Sequence, residues 1–212
     1  MSSVAVIDYG MGNLHSIGKA LQHADADCRI AITADPKIIQ SADRVVFPGV
    51  GAIRDCMQAL HDIELIEVIH HVAENKPFLG ICLGMQALMS DSEENGGIAC
   101  LNLFPGHVLR FTDRLLDDQG QPLKIPHMGW NQVKQKSHPL WRNIPQGSRF
   151  YFVHSYFVAP DNTKDSVGSS DYPDPFCCAL ANSNLFAVQF HPEKSQMAGL
   201  QLLHNFLRWD GA

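Results

Sequence analysis

Seven consecutive residues, Phe78-Leu79-Gly80-Ile81-Cys82-Leu83-Gly84, limit the folds open to this chain more than any other stretch. Phe78 to Ile81 reads as a buried apolar strand, and Leu83 to Met89 has a helical pattern, so the chain must pass from strand to helix at Cys82. Gly80 and Gly84 suit a turn completed within one residue, because a side chain at either flank would collide with neighbouring backbone. The central residue of such a turn is held in a strained conformation.

A turn of this kind needs a sheet whose strands feed helices, and the first half of the chain supplies one. Val4 to Tyr9 reads as a strand. Asn13 is placed to cap a helix from about Leu14 to His23, with Leu14, Ile17 and Leu21 on one face. Cys28 to Thr33 and Arg44 to Phe47 read as further strands. Ile63, Ile66, Val68 and Ile69 lie in a helical stretch that Pro77 stops. This alternation predicts parallel strands, helices on both faces and right-handed crossovers. The second half reads differently, with strands at His107–Phe111, Trp130–Val133, Phe150–Val158, Phe176–Ala181 and Leu185–Phe190. Asn182-Ser183-Asn184 is a tight turn between the last two, and a final helix runs from about Gln196 to Leu207. The expected fold is one α/β domain over residues 1–212. Its mostly parallel open sheet is flanked by helices and carries an antiparallel extension, with ligands at the C-terminal ends of the parallel strands.

Composition agrees with that size. The chain has 212 residues, against about 150 for a typical domain. Lys plus Arg is 16 and Asp plus Glu is 22, a net charge of −6 that argues against a duplex-binding module. The six cysteines form no C-x-x-C pair and match no zinc spacing. The best apolar run, Phe78 to Met85, is far short of the ~20 residues needed to span a bilayer. No secretory leader is expected at the N-terminus. A reducing cytoplasm, with free thiols, is the simplest compartment.

Three other features invite readings that fail. Gly10-Met11-Gly12 follows a strand, but the third glycine of a dinucleotide fingerprint should stand where His15 is. Gly18-Lys19 lacks both ends of a phosphate-binding loop, since Asn13 and Ala20 occupy its key positions. His70 and His71 have no partner one helical turn on, so they read as helix surface.

The Gly80–Gly84 turn is the cysteine counterpart of a nucleophile elbow. It puts the Cys82 sulfur at a helix N-terminus, where free N–H groups and the dipole favour an anion. It also directs the Leu83 N–H towards a developing oxyanion. The alternative is a buried structural cysteine in a glycine-containing turn. A base must come from elsewhere, and His191-Pro192-Glu193 directly follows a strand. If that segment is extended, side chains two apart point the same way, so Glu193 can orient His191. Pro48-Gly49-Val50-Gly51 ends the third strand and offers Gly49 and Val50 as a second oxyanion contribution, although the segment alone also reads as a plain turn.

Taken together, the chain resembles class I (triad-type) glutamine amidotransferases. The residues that carry the resemblance are Gly80-Ile81-Cys82-Leu83-Gly84-Met85-Gln86 and His191-Pro192-Glu193. More narrowly it is similar to the glutaminase subunits of imidazole glycerol phosphate synthases, through Ile7-Asp8-Tyr9-Gly10-Met11-Gly12-Asn13-Leu14, Pro48-Gly49-Val50-Gly51, Pro126-His127-Met128-Gly129-Trp130-Asn131 and Tyr151-Phe152-Val153-His154-Ser155-Tyr156. The resemblance implies a glutaminase with Cys82, His191 and Glu193 as its triad, and Leu83, Val50 and Gly49 around the oxyanion. It implies that Gln86, Glu94, Ser155 and Tyr156 hold glutamine, and that Trp130, Asn131 and Lys194 face a cyclase subunit of (βα)8-barrel fold. That partner would use the ammonia to form imidazole glycerol phosphate and an aminoimidazole carboxamide ribotide in histidine biosynthesis. No metal or organic cofactor, nucleic acid or membrane is implied.

Residue by residue, alternatives stay open. Gln86 and Glu94 also read as ordinary polar side chains facing water, and Trp130 as a side chain packed in the core. At the level of function, the competitors are the glutaminase of an anthranilate, guanylate or pyridoxal phosphate synthase, a cysteine hydrolase such as a peptidase, and a non-enzymatic binding subunit.

Overall fold

The computed structural model describes residues 2–112, 116 and 119–212. In the first half, β1 (Ser3–Ile7), α1 (Leu14–Ala24), β2 (Arg29–Thr33), α2 (Pro36–Ser41) and β3 (Arg44–Gly49) precede α3 (Ile53–Asp62) and α4 (Ile66–Asn75). Then come β4 (Phe78–Cys82), α5 (Leu83–Ala87), β5 (Met89–Ser92), β6 (Ile98–Ala99) and β7 (Phe104–Arg110). The second half adds β8 (His127–Gln132), β9 (Lys134–Gln135), β10 (Arg149–His154), β11 (Tyr156–Pro160), β12 (Ser166–Asp171), β13 (Pro175–Asn182), β14 (Leu185–Val188) and α6 (Gln196–Arg208).

Strands β2, β1, β3, β4 and β14 lie side by side in that order, and every neighbouring pair is parallel. The sheet then continues antiparallel through β13, β11 and β7, which is the expected extension. Strands β8 and β10 form a separate antiparallel ribbon.

The parallel strands are apolar on both faces, as buried strands must be when helices cover each side. Val4, Val6, Val46, Leu79 and Ile81 face one core, with Leu21 of α1 and Leu202 and Phe206 of α6. Their neighbours Ala5, Ile7, Val45, Phe47 and Phe78 face the other, with Leu60 of α3 and Ile69 and Val72 of α4. This is the period of two that alternating strand side chains produce.

Several local expectations are corrected. Asn13 precedes α1, but its side chain makes no capping bond; only its carbonyl accepts, from Ile17 N–H at 3.2 Å. Helix α2 was not anticipated, although Asp35-Pro36 opens it with an Asp35 side-chain cap on Lys37 N–H at 2.8 Å. Nor was α3, which buries Ile53, Cys56 and Leu60. Ile63 sits between helices, next to Glu64 at φ 55°. The helix after Cys82 ends at Ala87 because a returning loop takes its carbonyls: Leu101 N–H bonds Ala87 O at 2.9 Å and Leu103 N–H bonds Leu88 O at 2.8 Å. The single strand expected over Phe150–Val158 breaks at Ser155 into β10 and β11, which belong to different sheets. The turn at Asn182-Ser183-Asn184 is present, with Ser183 at φ 50° between antiparallel β13 and β14.

The turn from β4 to α5 is among the tightest packing in the fold. A β-carbon on Gly84 would meet the Phe47 carbonyl oxygen at 2.0 Å, so α5 rests directly on β3. Gly84→Ala is expected to destabilise the protein by about 3 kcal/mol in urea unfolding, the cost of overpacking a rigid backbone contact. A loss under about 1 kcal/mol would contradict that contact.

Candidate active site

The parallel neighbours β3, β4 and β14 end together. Gly49 pairs with Cys82, and Val188 pairs with Ile81, so residues just past these positions converge on one spot. Cys82 is held at φ 55° and ψ −110°, a backbone conformation that a side chain rarely adopts. That strain of roughly 1–3 kcal/mol is the signature of a nucleophile elbow. The elbow opens onto a cavity of about 280 Å³, whose lining includes Cys82, Leu83, His191, Val50 and Gly51.

His191 is 2% exposed, and its Nδ1 lies 2.8 Å from Glu193 Oε1. The contact does not arise from an extended segment. Pro192–Lys194 forms a single 3₁₀ turn, which brings Glu193 back beneath the imidazole. The turn is fixed by His191 N–H on Tyr151 O at 2.9 Å and by the Ser195 hydroxyl on His191 O at 2.6 Å. Gly199 lets α6 press against it, since a β-carbon there would fall 1.9 Å from Pro192 O.

Burial acts to lower the His191 pKa, but the Cys82 sulfur and the Glu193 carboxylate overcome it and hold the imidazole up at about 10. His191 Nε2 makes no hydrogen bond of ordinary length and angle, yet the Cys82 sulfur is the first of the groups that raise the imidazole, by hydrogen bonding as well as by charge. The ring is therefore oriented at one nitrogen and free of any such ordinary bond at the other. Such a site can capture an electrophilic carbon on sulfur and move a proton at Nε2.

Burial pushes each of the other thiols up: Cys56 and Cys100 to about 12, Cys177 to about 11, and Cys28 and Cys178 also upward. None of them is suited to act as a nucleophile near neutral pH.

The remaining expected residues gather around the same cavity. Gln86, Glu94, Ser155 and Tyr156 all line it. Gln86 is buried, not surface: Nε2 donates to Tyr156 O and to Gln189 Oε1, both at 3.1 Å. One oxygen of Glu94 caps α3, accepting from Ile53 N–H at 2.9 Å. Its neighbour Glu93 instead accepts from Arg110 N–H and does not line the cavity. Gly49 is a glycine for space, since a β-carbon would meet the Tyr9 hydroxyl oxygen at 2.4 Å. Sequence reasoning passed over Gln189, whose Nε2 donates to Cys82 Sγ at 3.7 Å; its place two residues before His191 was the available signal.

Outside this turn lie exposed apolar side chains, and Trp130 and Lys194 meet on Tyr151. Trp130 is 41% exposed and meets Tyr151 edge-on at 6.1 Å, so it is not core. The Lys194 ammonium sits 5.7 Å from the centre of the same Tyr151 ring. Met128, on the same strand as Trp130, is 62% exposed, and Met197 at the start of α6 is 77% exposed. Asn131 differs, being half-buried and spending its amide on Asp171 O at 2.9 Å and Gln132 N–H at 2.8 Å. Among the described residues, no helix is long and apolar enough to cross a membrane.

Comparison with known proteins bears on this geometry. Residues 5–209 match the family glutamine amidotransferase class-I. The imidazole glycerol phosphate synthase subunit HisH of Methylococcus capsulatus is 63% identical, over 99% of this chain and 98% of its own length. That of Pseudomonas syringae pv. syringae is 56% identical, over 100% and 99%. Among solved structures, a glutamine amidotransferase superposes with a TM-score of 0.71 at 12% identity, covering 97% of each chain. PurLQS from Thermotoga maritima gives 0.69 at 14% identity, covering 98% of each. Both share the fold, an α/β sheet flanked by helices.

The Glu193 contact predicts a pH dependence. A folded-state pKa of about 10 against an ordinary 6.5, raised by Cys82 and Glu193 together, means that the contacts of the protonated His191 stabilise the fold fully below about pH 6.5 and lose that contribution as pH rises through about 10. In Glu193→Gln, the His191 imidazole should titrate lower by NMR and turnover should fall ~10²–10⁴-fold. An unchanged titration would rule out the pair as the source of the shift.

Proposed function

The chain belongs to the class-I glutamine amidotransferases and, within them, to the HisH subunits of imidazole glycerol phosphate synthase, and from that premise we propose that it hydrolyses glutamine and passes the ammonia to a cyclase subunit. One observation carries the reading. The strained Cys82 shares a cavity with an imidazole that is free at Nε2 and bonded at Nδ1 to Glu193.

The Cys82 thiolate attacks the carboxamide carbon of glutamine, and the carbonyl π pair moves onto oxygen. The N–H groups of Leu83 and Val50 stabilise that oxyanion. As it collapses, the C–N bond breaks and His191 delivers its Nε2 proton to the leaving nitrogen, which departs as ammonia. A water then gives a proton to His191 and attacks the thioester, releasing glutamate and the thiol. Glu193 holds the imidazole in place and stabilises its protonated form throughout. Gln86, Glu94, Ser155 and Tyr156 hold the substrate. The cavity of about 280 Å³ is smaller than the ~300–1,000 Å³ of drug-sized pockets. It suits a free amino acid better than an extended peptide, which separates this reading from a peptidase.

The partner follows from the chemistry of the product. Ammonia released into water at neutral pH is mostly ammonium and no longer a nucleophile, so a closed route to the acceptor preserves it. The exposed Trp130, with Lys194 beside it, is the face offered to a cyclase of (βα)8-barrel fold, whereas Asn131, next in the strand, alternates to the other side of β8 and is not part of that face. An exposed aromatic flanked by polar groups is a typical interface anchor. Met128, two residues before Trp130 on the same strand, extends that face. The acceptor would be the ribotide converted to imidazole glycerol phosphate in histidine biosynthesis. Six free thiols fit a reducing cytoplasm.

Two measurements test the reading. Cys82→Ala should abolish glutamate release while the variant still binds the cyclase, and the cyclase should still make product from added ammonium salts. Continued glutamate release would remove Cys82 as the nucleophile. Trp130→Ala should weaken the complex by about 2 kcal/mol in titration calorimetry. Unchanged affinity would place the interface elsewhere.

A further inference from the structure

Beside the cavity lie two buried histidines that the reaction above does not use. His127 on β8 and His154 at the end of β10 are directly paired across the ribbon, and both are buried. His154 Nδ1 lies 2.8 Å from Tyr156 O. A carbonyl oxygen only accepts, so Nδ1 carries the proton. A neutral ring then has its lone pair at Nε2, and His127 Nδ1, 2.9 Å away, must be the donor to it. That leaves the lone pair of His127 at Nε2, which faces the Asn131 amide nitrogen at 3.2 Å. The Asn131 amide cannot be turned round, because its nitrogen also donates to Asp171 O and its oxygen accepts from Gln132 N–H.

All four groups are thus consistent with one direction only, from Asn131 to His127 to His154 to the Tyr156 carbonyl. Burial supports neutral rings, lowering His127 to about 4 and His154 to about 3. The relay does not stop at Tyr156. The same carbonyl accepts from Gln86 Nε2, which also bonds Gln189 Oε1, and Gln189 Nε2 donates to Cys82 Sγ. The relay also folds the chain at Ser155, where the ribbon gives way to the main sheet.

We propose that His127 and His154 position the glutamine cavity, by transmitting the placement of β8 to the Tyr156 carbonyl through a one-way hydrogen-bond relay. They are positioning residues, and β8 is the strand that also carries the exposed Met128 and Trp130. Its binding consequence rests on the glutaminase reading; its tautomers do not.

The test has two arms. In the first, long-range ¹H–¹⁵N spectra of the free full-length chain, labelled at histidine, should show both rings protonated at Nδ1. A ring protonated at Nε2 in either residue overturns the relay, whatever the chain's activity. In the second, glutamate release is measured at saturating cyclase and normalised to titratable Cys82. His127→Phe keeps an aromatic ring against Tyr172 and Phe152, which His127 stacks on at 4.0 and 5.0 Å, but leaves His154 Nε2 without a donor. Asn131→Asp removes the first donor with little change of shape, and decides the matter should His127→Phe not fold. Each is expected to raise the KM for glutamine about fivefold, the effect of one lost buried hydrogen bond, with kcat within about twofold. A merely structural role would lower the titratable fraction and leave KM alone, and that result contradicts the proposal. Loss of all glutamate release in the unsubstituted chain would instead count against the glutaminase reading.

Discussion

The contact between Gly84 and the Phe47 carbonyl is the constraint on which the rest of the structure depends. With no β-carbon between them, α5 can start immediately after β4 and lie on β3. Cys82 is then the only residue available to make the turn, and it does so in a left-handed conformation. The strain, roughly 1–3 kcal/mol, is offset by the burial around it. Phe47, Phe78, Ile81 and Met85 are essentially inaccessible, and each contributes about 1.5–3 kcal/mol on leaving water. A flexible turn would cost less to fold but would not fix the sulfur.

The same parallel edge-to-edge order explains why the other groups arrive at one place. Strand β14 lies next to β4, so the chain leaving β14 reaches His191 beside the elbow, and β3 on the other side brings Gly49 and Val50. Each group comes from a different strand end, held by a sheet with apolar side chains on both faces. The ribbon β8–β10 adds the fourth wall and carries the exposed aromatic face on its outside. Cavity and outer face therefore share the backbone of the same few residues, among them Tyr151, whose carbonyl holds His191 and whose ring meets Trp130 and Lys194.

Much of this could be read in the amino-acid sequence, and the misses have physical reasons. The elbow was legible because its pattern is contiguous in five residues between a strand and a helix, even though the contact that requires Gly84 comes from β3. The His191–Glu193 contact was expected for the wrong geometry: Pro192 favours a 3₁₀ turn as readily as an extended segment, and the Ser195 and Tyr151 bonds that decide between them are tertiary. The bonds made by Gln189 and by the histidine pair could not be read for the same reason, since their partners lie far away along the chain. The break at Ser155 falls in a run that is otherwise apolar and aromatic but for His154 and Ser155, and the His154–Tyr156 bond and the change of sheet reveal it. Helix α3 was the avoidable miss, because Ile53, Cys56 and Leu60 carry a helical period.

The central claim is that one thiol of six, the one at the elbow, does the chemistry. Partial alkylation with iodoacetamide, followed by peptide mass spectrometry, measures modification at each cysteine against residual glutamate release in the same samples. The account predicts that activity falls in proportion to modification of Cys82, that glutamine slows this modification, and that labelling of Cys100 or Cys177 leaves activity unchanged. Full activity in protein whose Cys82 is completely alkylated would contradict it.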